Sequence, residues 1–124
     1  MRNKPTDIQR RLAQLQRDYA RQLPAKIEAI QHGWQVLEDN MTPDGLEQLM
    51  RQCHTLAGTG TSYGFARVTE HCRAIEQLLR AVIEQERSAD AALSQQINHH
   101  LRQLTEQARQ AAEEDRGQEP GARS

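Results

Sequence analysis

Cysteine is scarce in this chain: Cys53 and Cys72 are the only two, too few for a disulfide framework. Each falls on the apolar stripe of a helical segment, where a small buried thiol is ordinary. Aromatic residues are limited to Tyr19, Trp34, Tyr63 and Phe65, so any core must be filled largely by Leu, Ile and Ala. Helical bundles can do this. Valine and isoleucine are few and never alternate at strand spacing, which argues against a sheet. No apolar run approaches the roughly 20 residues of a membrane span. The leading Met1-Arg2-Asn3-Lys4-Pro5 runs into no apolar stretch of the kind a signal peptide needs. The cytoplasm is therefore the expected compartment, with no membrane partner. A formal charge of −1 leaves no basic excess for general nucleic-acid binding.

What is abundant is Gln, Arg, Glu, Ala and Leu, all good helix formers. At 124 residues the chain has room for one domain and one core. Apolar spacing marks five helical segments. The first runs from Thr6 to Leu23, with Ile8, Leu12, Leu15, Tyr19 and Leu23 on one face. Pro24, which fits the first turn of a helix better than its interior, opens the second. That segment carries Ile27, Ile30, Trp34 and Leu37. Thr42 is the expected cap of the third, with Pro43 in its first turn and Leu46, Leu49, Met50, Cys53 and Leu56 on its apolar side. Gly64 breaks the chain again.

A fourth segment spans Phe65 to Gln85, and a fifth, capped by Ser88, carries Leu93, Ile97, Leu101, Leu104 and Ala108. From Glu113 the chain turns polar and is broken by Gly and Pro, so residues 113–124 read as a disordered tail behind a domain of residues 1–112. Short connections imply antiparallel neighbours. The expected fold is all-α: an antiparallel four-helix bundle from segments two to five, with the first as an additional N-terminal helix covering one end.

The third segment holds the unusual feature. His54 is followed by Gly58, Gly60 and Gly64 within ten residues. Glycine in a helix interior costs about 1 kcal/mol relative to alanine. On the helical wheel His54 falls at the edge of the core cluster, with Glu47, Arg51, Gly58 and Thr61 on its solvent side. Removing the side chain at Gly58 leaves room for a second macromolecule to reach the imidazole. An ordinary imidazole titrates near 6.5, so an exposed ring is largely neutral and nucleophilic in the cytoplasm.

These residues resemble the histidine-containing phosphotransfer (HPt) domain of multistep two-component signalling. The signature is carried by His54, Leu56, Gly58 and Gly64, with Phe65 and Cys72-Arg73-Ala74-Ile75-Glu76 resembling the family's following helix. The Leu23-Pro24 junction and the helix with Ile27, Ile30 and Trp34 resemble its entry into the bundle. The likeness covers residues 8 to 110. One departure stands out: Ala57 occupies a position where the family often has Lys. Arg51 or Arg67 could supply the missing cation. Glu47 precedes Arg51 by four residues, the favourable order for a helical pair, but as a carboxylate it would repel a phosphoryl group.

The resemblance implies a phosphocarrier without kinase activity of its own. His54 would accept a phosphoryl group on Nε2 from a receiver aspartate and pass it to another. The receiver would supply the Mg²⁺, and the chain no cofactor. Gly58 would permit approach, and Arg51 and Thr61 would contact the phosphoryl oxygens. Partners would be response-regulator receiver domains or a hybrid sensor kinase, and the carrier a monomer. The alternative is a helical adaptor that binds the same partners without the chemistry.

A metal site built from Cys53-His54 and His71-Cys72 is disfavoured, because adjacent residues on a helix diverge by about 100°. His99-His100 meets the same objection and reads as a solvated or boundary pair. Gly58-Thr59-Gly60 follows no strand, so it is not a dinucleotide loop.

Overall fold

The computed structural model describes residues 6–118. They form four helices, α1 (Asp7–Asp39), α2 (Pro43–Ser62), α3 (Ala66–Ile83) and α4 (Ala91–Gln118). There is no strand among the described residues. The leading Met1–Pro5 and the last part of the expected tail, residues 119–124, lie outside them. No helix among the described residues is long and apolar enough to cross a membrane.

Caps fix where the helices begin and end. The Gln9 N–H donates to Thr6 Oγ1 at 3.0 Å and the Thr6 N–H donates to Gln9 Oε1 at 2.8 Å, a reciprocal box that opens α1. Thr42 accepts from the Gly45 N–H at 3.1 Å, with Pro43 in the first turn of α2, as its sequence implies. At the end of α2, Gly64 adopts a left-handed φ of 83°. The Phe65 N–H then reaches the Gly60 carbonyl at 2.7 Å and the Gly64 N–H reaches Thr61 at 3.2 Å. This is a Schellman stop, and it turns the chain directly into α3. The same motif ends α3, with Gln85 in the left-handed position at φ 62°. The cap of α4 is Asp90, whose Oδ1 accepts from the Leu93 N–H at 3.0 Å, rather than Ser88.

The expected additional N-terminal helix is absent. Segments one and two are a single helix with Pro24 inside it. A proline in a helix interior costs about 3 kcal/mol. Against that stand Tyr19, Ala20 and Leu23 before it and Ile27 and Ile30 after it, all buried on one face. Burying one large apolar side chain contributes roughly 1.5–3 kcal/mol, so packing on both sides outweighs the break. Pro24 itself is exposed, pointing away from that face.

The first turns of α1 consequently do not cover the bundle end. Ile8 is 81% exposed and Leu12 45%. The expected tail is also shorter, because α4 continues as helix through Gln118. Ala108 and Ala111 are buried there, and Arg21 Nε lies 3.1 Å from Asp115 Oδ2.

Cross-helix contacts set the topology. Tyr19 on α1 meets Thr59 on α2 at 3.0 Å, whereas Leu37 lies against Gly45. Thr61 on α2 meets Thr69 on α3 at 3.1 Å, and His54 meets Glu76. On α1 and α4, Gln31 pairs with Thr105 and Arg21 with Asp115. Rising numbers on one helix meet falling numbers on its neighbour, so the bundle is antiparallel. Trp34, Leu23, Leu49, Ile75, Leu79, Leu93, Ile97 and Leu104 fill its core, with Cys53 and Cys72 fully buried among them.

Candidate functional site

His54 projects from α2 with 76% of its side chain exposed. The core stripe of α2, Leu46, Leu49, Cys53, Leu56 and Gly60, holds the helix against its neighbours and leaves His54 at the edge. Gly60 matters to this placement. A Cβ built there would stand 2.7 Å from Thr69 Oγ1 and 3.3 Å from the Phe65 carbonyl, so only glycine lets α2 and α3 pack this closely. The Thr69 hydroxyl closes the seam by donating to the Ala57 carbonyl at 2.7 Å.

Close packing brings α3 alongside the imidazole. Nδ1 of His54 lies 3.1 Å from Glu76 Oε2, and Arg80 Nη2 lies 3.1 Å from the same oxygen. The Glu76 side chain is only 11% exposed, so Arg80 and His54 satisfy a carboxylate that has lost most of its water. An ionised carboxylate only accepts hydrogen bonds. His54 must therefore donate through Nδ1–H, and in the neutral ring the lone pair is then on Nε2. In the sequence Glu76 stands only as the end of the run that resembles the family's following helix, with no role at His54, and Arg80 is not among the expected site residues. The signal was there: Glu76 is a lone carboxylate on the stripe Cys72, Ile75, Leu79, with Arg80 one turn later.

The residues expected around His54 are distributed unevenly. Gly58 is exposed, and a Cβ added there would meet nothing within 4 Å. Arg51 is exposed and forms no ion pair with Glu47 among the described residues. It lines a shallow groove between α1 and α2 together with Lys26, Gln48 and Thr55. Thr61 lies two helical turns beyond His54, and its hydroxyl is engaged with the Ala57 carbonyl and Thr69. Arg67 stands about 13 Å along α3 from Glu76 by helical rise. It lines a different cleft, near Tyr63 and Gly64. Ala57 is buried against α3.

The cysteines and the other histidines take separate roles. Cys53 points into the core while His54 points out. Burial pushes the Cys72 thiol up to about 12 and raises that of Cys53 further. No group of three metal-ligating side chains converges among the described residues. His71 and His100 face one another across α3 and α4, Nδ1 to Nδ1, at 2.9 Å. That pair was not evident from the sequence, where His100 read only as a neighbour of His99. Burial, the largest cause, lowers both imidazoles below their usual range, and their mutual proximity adds to it at His100.

Compared with known families, residues 6–111 match the family model described as "Hpt domain". Neither the comparison with curated proteins nor that with solved structures returns a match.

Proposed function

Since this chain belongs to the Hpt domain family, whose members serve phosphotransfer in two-component signalling as phosphocarriers rather than enzymes, we propose that His54 is its phosphoacceptor. The observation that carries the proposal is the pairing of His54 Nδ1 with Glu76 on one side and open space over Gly58 on the other. In the proposed step the Nε2 lone pair attacks the phosphorus of a receiver aspartyl phosphate in line. The N–P bond forms as the P–O bond to the aspartate breaks, and the bonding pair leaves with the carboxylate. The ring keeps its Nδ1–H throughout and gains positive character, which the Glu76 carboxylate offsets. Transfer to a second receiver is the same step in reverse.

The remaining groups position and attract. Phosphoryl transfer depends on alignment and charge stabilisation, and the receiver with its Mg²⁺ would bring most of both. From this chain, Arg51 offers a guanidinium with no ion pair among the described residues, on the helix that carries His54 and one turn before it, and Lys26 lines the same groove. Together they give an acidic receiver surface a basic edge to meet, in place of the Lys that Ala57 lacks. Thr61 and Arg67 are not included in this surface.

The test is transfer from a panel of phosphorylated receiver domains to the native chain and to His54→Gln. Acid-labile, base-stable label on the native chain alone supports the carrier reading. Binding of a receiver without transfer would replace it with the adaptor reading.

A further inference from the structure

The bundle turns two histidines toward each other across α3 and α4. On α3, His71 continues the buried stripe of Val68 and Ile75 at helical spacing, and on α4 His100 lies between the buried Ile97 and Leu104 in the same way. Core packing above and below each ring fixes the register in which they meet. His71 is buried and His100 half-buried, so the pair sits at the edge of the core with one ring open to solvent.

The spacing of the facing nitrogens is chemically specific. Nδ1 of His71 lies 2.9 Å from Nδ1 of His100. Two imidazole nitrogens bound to one ion at about 2.0–2.1 Å stand about 2.8–3.0 Å apart when they subtend roughly 90°, and about 3.3–3.4 Å apart in a tetrahedron. The observed spacing fits the first arrangement, which copper(II) and nickel(II) favour and zinc does not. The charges around the pair are mixed. Glu70 acts on both rings as a nearby negative charge, and Arg67 opposes it at His71. His99 adds a third imidazole, its ring centroid 5.2 Å from that of His100.

We propose that His71 and His100 form a two-nitrogen site for a divalent ion of the copper(II) or nickel(II) class, which clips α3 to α4. Both Nδ1 atoms coordinate the ion. The ring that held its proton on Nδ1 carries it on Nε2 instead, so both imidazoles stay neutral and no proton is lost. Nε2 of His71 has no partner among the described residues whichever ring donates the present hydrogen bond, so this exchange of tautomer leaves no additional nitrogen unsatisfied. Water completes the coordination from the side open at His100. His99 stays outside the chelate, because its side chain diverges from that of His100 by about 100° around α4. The inference does not rest on the phosphocarrier role of His54, which faces Glu76 from α2.

Calorimetric titration of the untagged full chain with nickel(II) alone tests it, since nickel does not oxidise thiols as copper(II) does. The expected result is one saturable site and a thermal midpoint that rises with nickel concentration. His100→Gln should weaken the site by about tenfold or more and remove that rise. Because His100 is half-buried, the variant should keep its fold, which circular dichroism checks. His99→Gln, and His32→Gln on α1, should leave both readouts unchanged. Zinc should bind more weakly than nickel. Absence of saturable nickel binding would overturn the proposal. So would binding that survives His100→Gln, binding lost in His99→Gln, or tighter binding of zinc.

Discussion

Glu76 Oε2 lies 3.1 Å from His54 Nδ1, joining two residues 22 apart in the chain across the α2–α3 seam. The contact gives the exposed imidazole a defined tautomer and a neighbouring negative charge. Glu76→Gln keeps an acceptor oxygen but removes the charge. It should slow phosphotransfer by about tenfold, equivalent to ~1.4 kcal/mol of barrier. Glu76→Ala should slow it further, because it also releases the ring. Single-turnover transfer from one receiver, with helicity checked by circular dichroism, measures both.

Gly58 separates folding from function. It sits in a helix with open space where a Cβ would go. Gly58→Ala should therefore stabilise the bundle by up to about 1 kcal/mol. Gly58→Phe should fold as well as the native chain yet lose receiver binding and transfer. Thermal melts and transfer assays on both variants check this opposition. At Gly60, by contrast, alanine should destabilise, because Thr69 and the Phe65 carbonyl occupy the space.

Gln85 holds the left-handed position that ends α3, with φ 62°. A side chain there costs roughly 1–2 kcal/mol relative to glycine. Gln85→Gly should raise stability by about 1 kcal/mol after its extra unfolded-state entropy is subtracted. Urea denaturation measures it. No change in transfer to His54 is expected.

The His71–His100 pair makes stability depend on pH. One Nδ1–H can donate to the other Nδ1, and Nε2 of His71 is buried without a partner among the described residues, so a further proton has no good place to go. Both folded imidazoles are lowered from the ordinary 6.5. The unfolded chain then binds more protons as pH falls. Stability from the pair is fully present above about pH 6.5 and is lost as pH drops through the folded values. Glu70 opposes this shift, while Arg67 adds to it at His71 and His99 adds to it at both rings. The urea midpoint should fall between pH 7.5 and 5.5, and replacing both rings by Leu should reduce that slope.

Periodicity made most of the core legible. The Leu46, Leu49, Cys53, Leu56, Gly60 stripe put His54 at the helix edge, and the Thr42-Pro43 cap and Gly64 stop each follow from local backbone chemistry. Pro24 misled because its local cost is real, whereas the burial that outweighs it comes from residues on both sides packing on other helices. Asp90 displaced Ser88 because a cap is chosen by the register of Leu93 in the core. His54–Glu76, His71–His100 and Arg21–Asp115 are matters of register between helices, and no single-helix pattern contains them. Arg67 looked close to His54 because the turn joins their helices, yet the antiparallel course carries it away.

The most direct test of the account is to locate the phosphoryl group on the ring. After transfer to ¹⁵N-histidine-labelled protein, nitrogen–phosphorus coupling should appear at Nε2 of His54, with a protonated Nδ1 beside Glu76. Coupling at Nδ1, or at any other histidine, would contradict it.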